Sequence, residues 1–195
     1  MSLNALRNDE GGFTLVELLI TIVIIGIIVP ALAAGVLSIL HNSNTTTQRL
    51  YESHDAQIAA AYFANDVQSA DLPVPSTDSR CDKAGTTTVV RFAWTEYDTA
   101  GNPAAYKLVV YSKDTSVGTV PVLRRRLCQG IPNSAALSAT PVSDVVIAHY
   151  LSSATAPSVC MAPATCPGQP ASSIVLTVTE QSGYAFKVAG VRRAA

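Results

Sequence analysis

Residues 11–40 read GGFTLVELLITIVIIGIIVPALAAGVLSIL, and this stretch decides how the chain is built. From residue 18 to residue 40 there is no charged side chain, and the only hydroxyls are those of Thr21 and Ser38. As a helix these residues span about 35 Å, which is enough for a hydrocarbon core of about 30 Å. The sequence therefore predicts a membrane-spanning helix near the N-terminus.

The segment before this helix is short and polar, MSLNALRNDEGG, residues 1–12. An ordinary secretory signal has the apolar stretch first and the cleavage site after it. Here the order is inverted, because the glycine pair precedes the apolar stretch. Cleavage after Gly12 would therefore leave the whole apolar segment in the mature protein.

The string GFTLVELLI, residues 12–20, closely resembles the class III signal of type IV prepilins and of type II secretion pseudopilins, and the likeness extends over residues 12–39. The resemblance implies that prepilin peptidase cuts between Gly12 and Phe13 and that the new amine of Phe13 is methylated. It also implies an assembly role for Glu17. The leader departs from the family pattern, which is usually basic, because a single Arg7 stands against two acidic residues.

Physical chemistry gives a separate reason to single out Glu17. An ionised carboxylate in a membrane helix costs a few kcal/mol at the bilayer centre, so one that is retained usually has a partner. The amine created at Phe13 lies about one helical turn away. In the family this pairing forms between neighbouring subunits and sets their register. The alternative is an interfacial Glu17 with no role in assembly.

Residues 41–72 are more polar and continue the helical pattern. Apolar side chains recur at steps of three and four, which predicts an amphipathic helix half; they are Ala56, Ala59, Phe63, Val67 and Ala70. We expect one long helix over residues 13–70, weakened at residues 42–47 by low helix propensity and kinked or loosened at Pro30.

After Pro73 the sequence changes to short runs rich in Val, Thr and aromatic residues, separated by turn residues. These predict strands at 87–95, 106–112, 120–127, 145–150, 174–179 and 184–191. The turns DTAGNP, DTSVGT and EQSGY predict hairpins that join the first three strands pairwise and the last two. The expected fold class is α+β and pilin-like: a long N-terminal helix, transmembrane over 13–40 and amphipathic over 41–72, packed on an antiparallel β-rich domain over 73–195.

All four cysteines lie beyond the apolar segment, in the part that would be exported. An even number there indicates disulfides, and the favoured pairs are Cys81 with Cys128 and Cys160 with Cys166. Four cysteines allow three pairings, so the sequence leaves the choice open. A zinc site is the competing interpretation, but there is no close CxxC pair and no neighbouring histidine.

No phosphate-binding glycine loop, metal-binding histidine pair or nucleophile elbow occurs in the sequence. We therefore expect no catalytic residue, no cofactor and no metal. The histidines His41, His54 and His149 are scattered and are expected to be solvated. An anchored enzyme with a site dispersed in sequence remains an alternative.

The sequence has one run of charge, Arg124, Arg125 and Arg126. In a strand, Arg124 and Arg126 would share one face and Arg125 would lie on the other. The simplest interpretation is a solvated strand with edge protection. The alternative is DNA contact by Arg124 and Arg126 in a minor pilin of natural transformation, although a formal net charge of −1 gives no general reason to expect nucleic acid as a partner.

The expected function is that of a structural minor pilin or pseudopilin subunit. Its expected partners are prepilin peptidase, other pilin subunits and the cytoplasmic membrane, which it would cross once with the C-terminal domain outside the cytoplasm. Diffuse patterns in the domain, YFANDVQSA, VVRFAW, LRRRL and VAGVRRAA, resemble the J-type minor pseudopilins and related minor pilins.

Overall fold

The structure is a computed structural model, and it describes residues 12–73, 79–116, 118–131, 137–138, 140–161 and 172–193. Residues 1–11 of the predicted leader, which covers residues 1–12, and the predicted disulfide cysteine Cys166 lie outside the described residues. The chain divides into two compact units, Met1–Arg49 and Leu50–Ala195.

A single helix, α1, extends from Leu15 to Ser69 and contributes to both units. Low helix propensity predicted fraying or a bend at residues 42–47; the helix is not interrupted there, and the bend stays a prediction. Within this stretch Thr45 Oγ1 donates to the carbonyl oxygen of His41 at 3.1 Å, so its hydroxyl bonds inside the helix. Pro30 also lies inside α1, and the kink predicted there stays a prediction.

The described residues of the second unit form eight strands in two antiparallel sheets. Five strands follow chain order in the first sheet: β1 Leu72–Pro73, β2 Thr86–Tyr97, β3 Pro103–Asp114, β4 Val122–Gly130 and β5 Ser143–Ala148. The other three form the second sheet, also in chain order: β6 Ser158–Met161, β7 Ser173–Thr179 and β8 Ala185–Val191. The three predicted hairpins are confirmed as the antiparallel pairs β2–β3, β3–β4 and β7–β8.

Two strands and the division into two sheets were not predicted. Strands β1 and β6 are two and four residues long, too short for the alternation of apolar and polar residues to identify them. Both are held by pairing with a longer neighbour, β1 with β2 and β6 with β7. The expected α+β layout, one long N-terminal helix followed by antiparallel sheet, is confirmed.

The core of the second unit forms where the C-terminal part of α1 packs on the sheets. The predicted apolar stripe is confirmed: Ala59, Phe63, Val67 and Ala70 are buried, and Ala56 packs against them. Phe63 makes edge-to-face contacts with Phe92 and Tyr111, with ring centroids 5.6 and 5.5 Å apart. Such pairs contribute about 0.5–1.5 kcal/mol each beyond the area they bury.

One glycine lets the helix approach the second sheet closely. A Cβ atom at Gly190 on β8 would lie 2.5 Å from Cβ of Val67, closer than real carbon atoms approach. Gly190 lies on the face of β8 whose side chains, such as those of Phe186 and Val188, are buried. A side chain at this position would therefore force Val67 or the strand to move.

Candidate functional site

The predicted cleavage site lies in an exposed segment just before helix α1. Gly12, Phe13 and Thr14 are exposed and non-helical, and the Phe13 side chain is 78% exposed. A Cβ atom at Gly12 would meet no atom within 4 Å. Accessible backbone outside regular structure is what a protease requires. The bond between Gly12 and Phe13 is therefore in a position that a peptidase can reach.

Helix α1 begins with a capping arrangement that involves Glu17. The Glu17 backbone N–H donates to Thr14 Oγ1 at 3.3 Å, and Thr21 Oγ1 donates to the Glu17 carbonyl oxygen at 2.5 Å. Thr14 and Glu17 have the T-x-x-E spacing of a capping box, and a carboxylate in the first turn is favoured by the helix dipole. Glu17 thus has a local reason for its place, in addition to the predicted role in assembly.

The first part of α1 exposes its apolar side chains on every face. Every described residue from 12 to 51 is exposed. By length and composition α1 is long and apolar enough to cross a membrane, and the apolar window has no buried residue. A continuous apolar surface of this size marks a membrane or protein interaction site.

The second unit is held by a buried charge cluster that joins α1 to the five-stranded sheet. Arg125 forms a bidentate pair with Asp66, from Nε to Oδ2 at 2.7 Å and from Nη2 to Oδ1 at 2.6 Å. Tyr111 donates its hydroxyl to Asp66 Oδ2 at 2.5 Å, and the Arg125 guanidinium lies 4.8 Å from the ring centroid of Tyr62. Burial, together with the Asp66 charge, raises the pKa of Tyr111 well above its usual value, so the phenol stays a neutral donor.

The three arginines alternate along β4 as predicted. Arg125 bonds to Asp66 of the helix, whereas Arg124 and Arg126 bond to groups of the sheet domain. The expectation of edge protection is wrong, because β4 lies between β3 and β5. The expectation of a solvated strand is also wrong for Arg124, whose side chain is 12% exposed. It is bonded to Asp114 at 2.9 Å and to Asp144 at 2.7 Å.

Asp114 is the centre of that second charge cluster. Its carboxylate also accepts from Lys83 Nζ at 2.7 Å and from Ser116 Oγ at 2.6 Å. Burial alone would raise its pKa, but the hydrogen bonds from Lys83, Ser116 and Arg124 outweigh it and hold the pKa of Asp114 below its usual value. Lys83 and Arg124 are thus engaged by carboxylates within the domain.

The predicted disulfide between Cys81 and Cys128 is confirmed, with its Cα atoms 5.9 Å apart. It ties the segment before β2 to the end of β4. Cys160 is also disulfide-bonded. Within the described part of the chain no group of three potential ligands is arranged to hold a metal ion.

Three acidic residues that the sequence analysis did not single out are buried on α1: Glu52, Asp55 and Asp66. They continue the spacing of the apolar stripe, since Asp55 lies four residues before Ala59 and Asp66 three after Phe63. That spacing is the feature of the sequence that could have identified them as buried. Asp55 accepts the backbone N–H of His149 and lies 3.2 Å from its Nδ1, so His149 is partly engaged rather than fully solvated.

A family model, described as the prokaryotic N-terminal methylation motif, matches residues 7–29. No curated protein and no solved structure matches the chain. The matched residues include the exposed Gly12–Phe13 bond, the capped helix start and the first part of the apolar helix surface. This motif at the start of a long apolar helix, followed by antiparallel sheets, supports a type IV pilin-like protein, and the motif is that of pilins and pseudopilins that prepilin peptidase processes.

Proposed function

We propose that this protein is a non-enzymatic structural subunit, a minor pilin or pseudopilin, that assembles into a type IV pilus or a type II secretion pseudopilus. In this proposal prepilin peptidase cuts between Gly12 and Phe13, and the new amine of Phe13 is methylated. The mature subunit waits in the cytoplasmic membrane with its C-terminal domain outside the cytoplasm. The diffuse likeness of the domain to J-type minor pseudopilins favours a subunit of low abundance.

The observation that carries the proposal is the position of the motif on the molecule. The matched segment begins before an exposed scissile bond and continues into a helix whose apolar side chains have no cover within the described chain. A helix of this kind needs either lipid or other helices around it. Storage in a membrane followed by packing in a filament supplies both environments in turn.

The first test is the intact mass of the full-length protein, extracted from membranes of cells with and without prepilin peptidase. We expect the loss of residues 1–12 together with the gain of one methyl group, only when the peptidase is present. A chain that stays uncut, or is cut after the apolar segment, would contradict the proposal.

The role of Glu17 in assembly can be separated from its role in capping. Glutamine at this position keeps the capping-box spacing but removes the charge that would pair with the Phe13 amine. We expect Glu17→Gln to be cleaved normally yet to be absent from sheared filaments. The matched control is Ser38→Ala, a polar change in the same apolar segment. Normal incorporation of Glu17→Gln would show that capping alone explains the residue.

The DNA-binding alternative draws little support from the positions of the arginines. Arg124 is paired with two carboxylates, and Arg126 Nη1 donates to the carbonyl oxygen of Asp82 at 3.1 Å. The alternative predicts salt-sensitive DNA affinity that falls in Arg126→Gln, a change that leaves the Asp114 cluster intact. We expect the full chain in detergent to bind DNA weakly and equally with or without this change.

A further inference from the structure

Residues 149–152, the junction segment, connect three parts of the second unit. The backbone N–H of His149 donates to Asp55 of α1, and the backbone N–H of Leu151 donates to the Pro121 carbonyl oxygen at 2.9 Å, next to β4. Tyr150 has φ of +52°, a left-handed conformation that a bulky residue rarely adopts. Such strain persists only where surrounding contacts enforce it.

The turn between β7 and β8 docks on the same segment. Leu151 and Glu180 form an antiparallel bridge, Ser152 N–H donates to the Thr179 carbonyl oxygen at 2.9 Å, and Gln181 N–H donates to the Tyr150 carbonyl oxygen at 2.8 Å. These bonds attach the three-stranded sheet to the junction segment. Whatever weakens them loosens the β7–β8 turn.

A carboxyl group is buried at this attachment. Glu180 is 4% exposed, and its Oε1 atom has no hydrogen-bond partner among the residues that the structure describes. Buried carboxylates without a partner are costly when ionised. The buried carboxylates of Asp55 and Glu52, on the helix packed here, act on Glu180 as like charges.

The other charged and titratable groups near the attachment contact atoms other than the Glu180 carboxyl group. The His149 side chain is half exposed and lies against Asp55, and His54, mostly exposed, also approaches Asp55. Lys113 Nζ donates to the carbonyl oxygens of Ser152 and Ser153 at 3.0 and 3.3 Å. No cation acts on the Glu180 carboxyl group in the described structure to offset the two carboxylates.

We propose that Glu180 is a pH-responsive latch, which keeps the β7–β8 turn docked on the junction segment and α1 while it is protonated and releases the turn when it ionises. Burial, followed by the charges of Asp55 and Glu52, raises the pKa of Glu180 from 4.5 to about 7. Because the folded state holds the proton more tightly than the unfolded state, docking is strongest below pH 4.5 and weakens as the pH rises through about 7. Protonation is favoured over a bound cation, because these side chains are not arranged as a metal site.

The test is hydrogen exchange of the full-length protein in detergent between pH 5.5 and pH 8, with exchange times scaled to the intrinsic rate at each pH. The readout is protection of the Gln181 and Ser152 amides relative to amides of the β3–β4 hairpin. We expect relative protection to fall by about tenfold or more as Glu180 ionises. Glu180→Gln should remove that fall and keep the protected level at both pH values.

Two further variants keep the test decisive if Glu180→Gln folds poorly. Glu52→Gln removes one like charge, so the pH at which protection falls should move down. His149→Gln should leave the fall in place, since the latch does not use the imidazole. The proposal is overturned if wild-type protection does not change with pH, or if the fall disappears in His149→Gln. Calcium chloride that restores protection at pH 8 would also overturn it, in favour of a cation site. These outcomes concern the domain alone and do not depend on which filament the subunit joins.

Discussion

Two stretches of the same helix, residues 15–40 and residues 50–69, differ in what surrounds them. In the first stretch all side chains are exposed although nearly all are apolar. In the second, Phe63 and Val67 are fully buried against the sheets, together with acidic residues such as Asp66. The backbone is helical in both. The difference shows that the first stretch is adapted to surroundings outside the chain, and the second to its own domain.

The two stretches also differ in their charged side chains. Residues 18–40 avoid charged side chains altogether. The second stretch buries carboxylates and pairs them with groups of the sheets, as it does Asp66 with an arginine and a tyrosine. A buried pair is retained only where both partners are held in register, which an α-helix packed on a sheet provides. Substitutions at four places in the chain test this contrast.

The largest effect is expected at the cleavage site. Gly12→Leu should abolish processing, because a branched side chain replaces the glycine that the family motif has before the scissile bond. Intact mass in cells with the peptidase would then show only the uncut chain. The unfolding midpoint of the domain, followed by Trp94 fluorescence in detergent, should not change. Gly35→Leu, a matched change in the exposed apolar helix, should be cleaved normally.

Breaking the buried pair of Asp66 and Arg125 should have the opposite result: the domain loses stability and cleavage is unchanged. Asp66→Ala leaves Arg125 buried without its carboxylate and removes the acceptor of Tyr111, so we expect a loss of about 3–5 kcal/mol of unfolding free energy with cleavage intact. Urea unfolding followed by Trp94 fluorescence measures it. The control is Glu96→Ala, which breaks the pair between the exposed Glu96 and the half-buried Lys107 and should cost at most about 1 kcal/mol. Equal losses in the two variants would show that the cluster does not stabilise the domain.

The disulfide should contribute somewhat less to the unfolding free energy than the buried pair. Replacing Cys81 and Cys128 together by serine frees a loop of 47 residues in the unfolded chain, and the expected loss is about 2–4 kcal/mol. The same urea experiment measures it, and reductant added to the wild-type protein should give a loss in the same direction. An unchanged midpoint in both experiments would mean that the packing of β2, β3 and β4 alone holds this region.

The smallest of the four effects is expected at the close approach of β8 to α1. Gly190→Ala forces Val67 or the strand to move, at a cost of about 1–3 kcal/mol. Ala189→Ser, on the exposed face of the same strand, should cost almost nothing. A Gly190→Ala protein as stable as the control would mean that the helix and β8 separate easily.

The features that could be predicted are those that depend on short stretches of sequence. The apolar run, the scissile glycine, the amphipathic stripe and the hairpin turns each depend on neighbouring residues, and the helix and six of the strands followed from them. Low propensity at 42–47 does not interrupt the helix, because propensity is a small local term that the surrounding helix overrides. Strands β1 and β6 were missed because their existence depends on a neighbouring strand rather than on their own residues.

The sequence by itself determined the processing motif, the apolar helix and the α+β class, because each is set by composition and spacing within a single segment. Only the tertiary structure decided which charges meet. Asp66 and Arg125 are 59 residues apart in the chain, and Asp55 and His149 are 94 apart. No local pattern specifies a contact between residues so distant; it arises when the helix packs on the sheets and brings the two side chains into the same buried space.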